Sequence, residues 1–178
     1  MRWEALFADM EAQLAAAEAA EVAVQVADLT RAERATVTLD GRLRAAVGLR
    51  VTVRVRGGDL VPGTVLDVAR QWVLIGEASR RALVPTAALD AVMGLPPTSQ
   101  PDEGVVARRL GLGHALRALA RDRAAVRVTT DGGQVVGRVE RVGADHVDLT
   151  VADDPVAARS RDGLWSVPFA SVQVVRSG

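Results

Sequence analysis

Apolar residues recur along this chain in two different periods. Near the start, Trp3, Phe7, Met10, Leu14 and Ala17 lie four or three residues apart, which lines one face of a helix. Leu6 widens that face, and Glu4, Glu11 and Glu18 form an acidic stripe elsewhere on the cylinder. The Ala-rich stretch 15–20 favours the same conformation, so a helix is predicted over 2–27. Thr30 and Glu33 fit a capping box, Thr36–Leu39 reads as a short strand, and Asp40–Val47 reads as a short helix stopped by Gly48. From Arg50 the period falls to two. Val51, Val53 and Val55 alternate with polar residues, and strands are predicted at 50–56, 60–68, 72–76, 82–84 and 89–93, separated by the turn Gly57-Gly58-Asp59, by Arg70-Gln71, by the loop Glu77–Arg80 and by a turn at Pro85.

The second half repeats the first. Residues 63–75 (GTVLDVARQWVLI) read against 137–149 (GRVERVGADHVDL), an offset of 74. Residues 84–92 (VPTAALDAV) read against 167–175 (VPFASVQVV), an offset of 83, so copy two has a loop nine residues longer. Between the copies, 95–104 (LPPTSQPDEG) is a linker with three prolines and no apolar periodicity. Val105–Leu110 is a candidate strand matching Thr36–Leu39. Gly113–Arg121 is a helix matching the earlier short one, with Leu116 73 residues after Leu43. Strands follow at 125–130, 134–142, 146–151, 164–167 and 172–176, with the long loop at 152–162. In both copies two valines of the second strand are three apart, Val65 and Val68, Val139 and Val142. Strict alternation would put them on opposite faces, so a bulge or bend is predicted there, with Gly63 and Gly137 as its flexible point.

These elements predict an α+β, mainly β chain: an N-terminal acidic amphipathic helix (1–28), then two tandem five-stranded small barrels (29–95 and 105–178), each preceded by a short helix, with a Pro-rich linker at 96–104. Units of that size bury only ~60% of their unfolded surface, so the copies are expected to pack on each other or on a partner. The short helix, the Gly-initiated second strand and the Val-Pro-x-Ala ending at 84–87 and 167–170 resemble two small-barrel families. One is the Sm-like fold, which includes bacterial RNA chaperones of the host-factor type and the C-terminal barrel of a ribosome maturation factor. The other is the PRC barrel. The Sm-like resemblance implies a possible RNA-binding role. Sm proteins that bind oligo-U carry Asp and Asn before the third strand and Arg-Gly near the fourth. This chain has 69–71 (ARQ) and 143–146 (GADH), then 83–85 (LVP) and 166–168 (SVP), so that pocket is not reproduced.

Charge is balanced overall, with 22 basic and 22 acidic residues, but unevenly placed. Residues 1–28 hold one arginine and six acids, 29–95 ten arginines and six acids, and 96–178 eleven arginines and ten acids. Every basic residue is arginine, and Lys, Asn, Tyr and Cys are missing, as in a GC-rich, actinobacterial-type genome. Arginine abundance therefore carries less weight as a sign of anion binding. Without Lys there is no Walker A loop and no Schiff base, and without Cys no disulfide or thiolate metal site. His114 and His146 lack zinc-ligand spacing, and Gly111 and Gly113 give only half a dinucleotide fingerprint. Asp145, Asp148, Asp153 and Asp154 lack the spacing of a calcium loop. Trp72 and Trp165 are expected in cores or between the barrels.

The resulting expectation is a non-catalytic cytoplasmic adaptor with no cofactor, no metal, no small-molecule substrate and no membrane span. The N-terminal helix, through Trp3, Phe7, Met10 and Leu14, would serve self-association or a protein partner. The alternative is a nucleic-acid-associated regulator using Arg54, Arg56, Arg70, Arg80 and Arg81 of copy one. Arg159 and Arg161, in the loop that breaks the internal symmetry, are further candidate contacts.

Overall fold

Alternation at period two becomes strands wherever a turn residue lets the chain reverse, and this chain reverses often. The computed structural model describes residues 35–101, 111–123, 125–151 and 163–177, together with seven single positions before residue 35. Trp3, Leu14, the expected strand Val105–Leu110 and the loop 152–162 with Asp153, Asp154, Arg159 and Arg161 lie outside the described residues. The chain divides into two units, Met1–Thr38 and Leu39–Gly178.

In the first unit the described positions Phe7, Met10, Gln13, Glu21, Val22 and Gln25 are helical, as the spacing of 2–27 predicts, and Arg31, Ala35 and Thr36, beyond that range, are helical as well. The strand expected at Thr36–Leu39 is corrected: Thr36 is helical, Val37 and Thr38 are irregular, and Leu39 begins the next helix.

The second unit runs α1 (Leu39–Ala45), β1 (Arg50–Val55), β2 (Leu60–Ala69), β3 (Trp72–Glu77), β4 (Arg80–Pro85), β5 (Leu89–Met93), α2 (Leu112–Arg121), β6 (Ala125–Thr130), β7 (Gly133–Val142), β8 (His146–Thr150), β9 (Leu164–Pro168) and β10 (Val172–Ser177). Short 3-10 turns, Thr86–Ala88 and Phe169–Ser171, follow the two Val-Pro corners. Each copy contributes five antiparallel strands, and the bulge predicted in the second strand is present in both. The ladder skips a residue between Val65 and Asp67 against β3, and between Val139 and Arg141 against β8. Gly63 and Gly137 lie just before it for a steric reason. A Cβ on Gly63 would come 2.6 Å from the Gly76 carbonyl oxygen, and one on Gly137 2.3 Å from that of Thr150.

The architecture itself is a correction. Two separate five-stranded barrels, each with its preceding helix, were expected. The described residues instead form one open sheet of ten strands in the order β5-β1-β2-β3-β4-β10-β6-β7-β8-β9. The cause is the joint between the copies. β4 pairs antiparallel with β10, with Val175 opposite Leu83, Arg176 opposite Ala82 and Ser177 opposite Arg81. Backbone donors and acceptors that barrel closure would satisfy within one copy are satisfied here by the other.

The joint also mixes the two cores. Val51, Val53, Val65, Val73 and Ile75 build the core of copy one, which Leu43 of α1 covers. Val126, Val128, Val147 and Leu149 build that of copy two, which Leu116 of α2 covers. Side chains alternate along a strand, so a strand buried on both faces feeds both cores. Ala82 and Val84 of β4 face the first core and Leu83 faces the second, while Val174 of β10 joins the first and Val175 the second. Trp72 also packs into the second core.

Polar links reinforce the joint. Gln71, in the β2–β3 turn, accepts a hydrogen bond through Oε1 from the Leu112 N–H at 3.0 Å, so copy one caps the first turn of copy two's helix. Arg56 Nη2 crosses from copy one to donate to the Ala170 carbonyl at 2.8 Å, and Asp131, 3.5 Å from the same Nη2, is held within copy two by Gln173 Nε2 at 2.8 Å. The start of the linker is tied down as well, since Arg42 donates to the carbonyls of Pro96 and Leu95. No helix among the described residues is long and apolar enough to cross a membrane.

Candidate functional site: the groove at the seam

Where β4 meets β10, one face of the sheet carries a groove of about 730 Å³. Its floor is apolar, with Val61, Ile75, Ala82 and Val126, and Leu60 and Val136 stand exposed in it. Four arginines line it: Arg80 and Arg81 from copy one, Arg127 and Arg176 from copy two. The acids in the lining are Asp59 and Glu77.

Arg127 and Arg176 are direct cross-strand partners in the β6–β10 ladder. Like charges placed opposite one another destabilise a sheet unless something compensates them. Here the bonds are to neutral groups. Arg176 Nη1 donates to Thr129 Oγ1 at 3.3 Å, and Arg127 Nη1 donates to Gln134 Oε1 at 3.3 Å. On the other wall Arg81 Nη1 donates to the carbonyls of Ala78 and Arg80 at 3.0 and 3.1 Å. These bonds orient the guanidinium groups without neutralising them, which leaves their charge to an anion entering the groove.

The arginine face expected from the sequence is thus divided. Arg80 and Arg81 reach the groove. Arg54 is paired with Asp90 at 2.5 Å on the far edge of copy one. Arg56 is held at the joint, with Asp131 at 3.5 Å besides the Ala170 carbonyl. Arg70 sits exposed in the β2–β3 turn. Sequence reasoning missed Arg127 and Arg176, because only the β4–β10 pairing brings copy two's arginines beside those of copy one. Phe7 and Met10 belong to the first unit, where they are 60% and 57% exposed.

A second polar cluster surrounds β8. His146 Nδ1 lies 2.9 Å from Asp145 Oδ1, and that hydrogen bond holds the Asp145 carboxyl below the usual carboxylate range. Asp148 is buried; it accepts from Ser166 Oγ at 2.6 Å and pairs with Arg141 at 3.4 Å. Ser, His and Asp meet here, but the serine hydroxyl donates to the carboxylate, with His146 Nε2 3.9 Å from the same oxygen. A nucleophilic triad needs the hydroxyl hydrogen-bonded to the imidazole. Among the described residues no group of three or more His, Asp or Glu side chains is placed to hold a metal ion.

No known family model matches the chain, and no curated protein matches it.

Proposed function

We propose that this is a non-catalytic binding protein, working in the cytoplasm, whose seam groove takes an extended anionic ligand, the phosphate backbone of a nucleic acid. The observation that carries this reading is the cross-strand pair Arg127 and Arg176, facing one groove with Arg80 and Arg81. Phosphate contacts of this kind give sequence-tolerant binding that weakens steeply with salt. Anisotropy of a labelled single-stranded oligonucleotide, followed across a salt series, tests it. Arg127→Ser with Arg176→Ser should weaken binding and lower the salt slope by about one per phosphate contact removed. Arg54→Ser, which lies outside the groove, should leave both unchanged. Equal losses from the two sets, or no retention at low salt, would end the proposal.

A second reading concerns the first unit. Phe7 and Met10 are helical, three residues apart and more than half exposed. Such a face suits the apolar surface of a protein partner. Phe7→Glu with Met10→Glu should abolish co-purification of that partner while leaving oligonucleotide binding intact.

A further inference from the structure

The joint between the copies is head-to-tail: the fourth strand of copy one meets the fifth strand of copy two. A joint of that kind uses two different edges, so it leaves one of each behind. Among the described residues, β5 ladders only with β1 and β9 only with β8, and these two strands end the sheet on opposite sides. Open edges of this kind template the addition of another strand. We propose that a second copy of this chain adds its β5 to β9, antiparallel and in the register of the β4–β10 joint, so that chains assemble head-to-tail through their sheets.

The register supports this pairing. Moving each residue of the inner joint by the repeat offset of 83 places Val92 opposite Ser166, Met93 opposite Trp165 and Gly94 opposite Leu164. Met93 is 70% exposed and Trp165 39% exposed. Two large apolar side chains at opposite ends of the sheet are thus the pair this register sets face to face. Their inner counterparts are Arg176 and Ala82.

The preceding helices point the same way. Leu112 is 5% exposed, packed in the second core with Ala69, Trp72 and Leu83 of copy one. Leu39 occupies the same place 73 residues earlier and is 51% exposed. Copy two finds in copy one a surface for its helix, and copy one has no third copy to supply the same.

The grooves complete the argument. Beside β9 lies a smaller groove of about 410 Å³, lined by Gln134, Val135, Val136, Val151 and Trp165 among others. Its residues correspond to the copy-one wall of the seam groove, where Leu60, Val61, Pro62, Glu77 and Ala82 stand. In the seam groove the opposite wall comes from β6 and β10. At β9 that wall would come from the second copy's β1 and β5. It would carry Thr52 and Met93 where the seam carries Arg127 and Arg176, making the outer joint a packing surface and not an anion site.

Two complementary variants of the full chain test this. Met93→Asp blocks one edge and Trp165→Asp the other, with circular dichroism confirming that each keeps its strands. Light scattering should show the wild-type chain growing in mass with concentration and each variant remaining a single chain. Mixing the two should give a species of two chains and no larger, because each variant retains one intact edge. As a second measurement, Met93→Cys mixed with Trp165→Cys should form a disulfide-linked pair under mild oxidation, the chain having no cysteine of its own. A wild-type chain that stays single at its highest soluble concentration would overturn the proposal. So would single variants that assemble like wild type, or a mixture that yields no pair.

Discussion

The inner and outer edges of this sheet descend from the same repeated sequence and have opposite fates. β4 and β9 are corresponding strands, as are β10 and β5. In β4, Ala82, Leu83, Val84 and Pro85 are all buried; in β9, Trp165, Ser166 and Pro168 are exposed and Val167 alone is buried. In β10, Val172, Gln173, Val174 and Val175 are buried, whereas in β5 every residue is partly or fully exposed. At two positions the residue follows the burial: Leu83 corresponds to Ser166, and Val174 to Ala91. β4 and β10 are buried on both faces because each lies between the two cores, whereas the edge strands β5 and β9 border only one copy.

The sharpest way to break this equivalence is to shorten one side chain on each kind of edge. Leu83→Ala removes a side chain that copy one packs into the core of copy two and should cost about 2–5 kcal/mol in urea unfolding. Met93→Ala, at the exposed end of β5, should stay within about 0.5 kcal/mol for the single chain. Equal effects would mean that the joint contributes no more than a free edge does.

A smaller effect is expected at the β2–β3 turn. Gln71 caps α2, and its counterpart in copy two, 74 residues later, is Asp145, which pairs with His146. Gln71→Ala should cost about 0.5–2 kcal/mol, in the range of a lost helix cap. Hydrogen exchange should place the loss in the first turn of α2.

The smallest effect lies at Asp145 itself. Its pKa is lowered, first by the hydrogen bond with His146. A carboxyl with a depressed folded-state pKa contributes stability that is present above its unfolded value and lost as pH falls through the folded one. An NMR titration should therefore find Asp145 protonating at lower pH than an ordinary aspartate, and His146→Ala should return it to the usual range. Titration at the ordinary value in the unmodified chain would remove the interaction.

Much of the fold was legible along the chain. The repeat, β1 to β10, the two short helices and the helical positions described between 7 and 25 follow from spacing and turn residues, because those interactions are local. The bulge was legible as well, since Val65 and Val68 cannot both face inward on a regular strand. Burial on both faces also left a trace in β4, where 82–84 (ALV) is unbroken and the corresponding 165–167 (WSV) is interrupted by a serine. The candidate site was legible only by half. Arg80 and Arg81 could be named from copy one's charge, but Arg127 and Arg176 could not, being 46 and 95 residues beyond Arg81 along the chain.

Sequence alone determined that this protein holds two copies of one five-stranded unit, after a segment whose apolar residues recur at helical spacing. Tertiary structure decided that the copies share a sheet rather than close as separate barrels. An edge strand presents the same ladder of N–H and C=O groups whatever its side chains are, so its partner is not written in its own pattern. The partner is settled only when Leu83 and Val174 find each other's cores, and that same event assembles the groove.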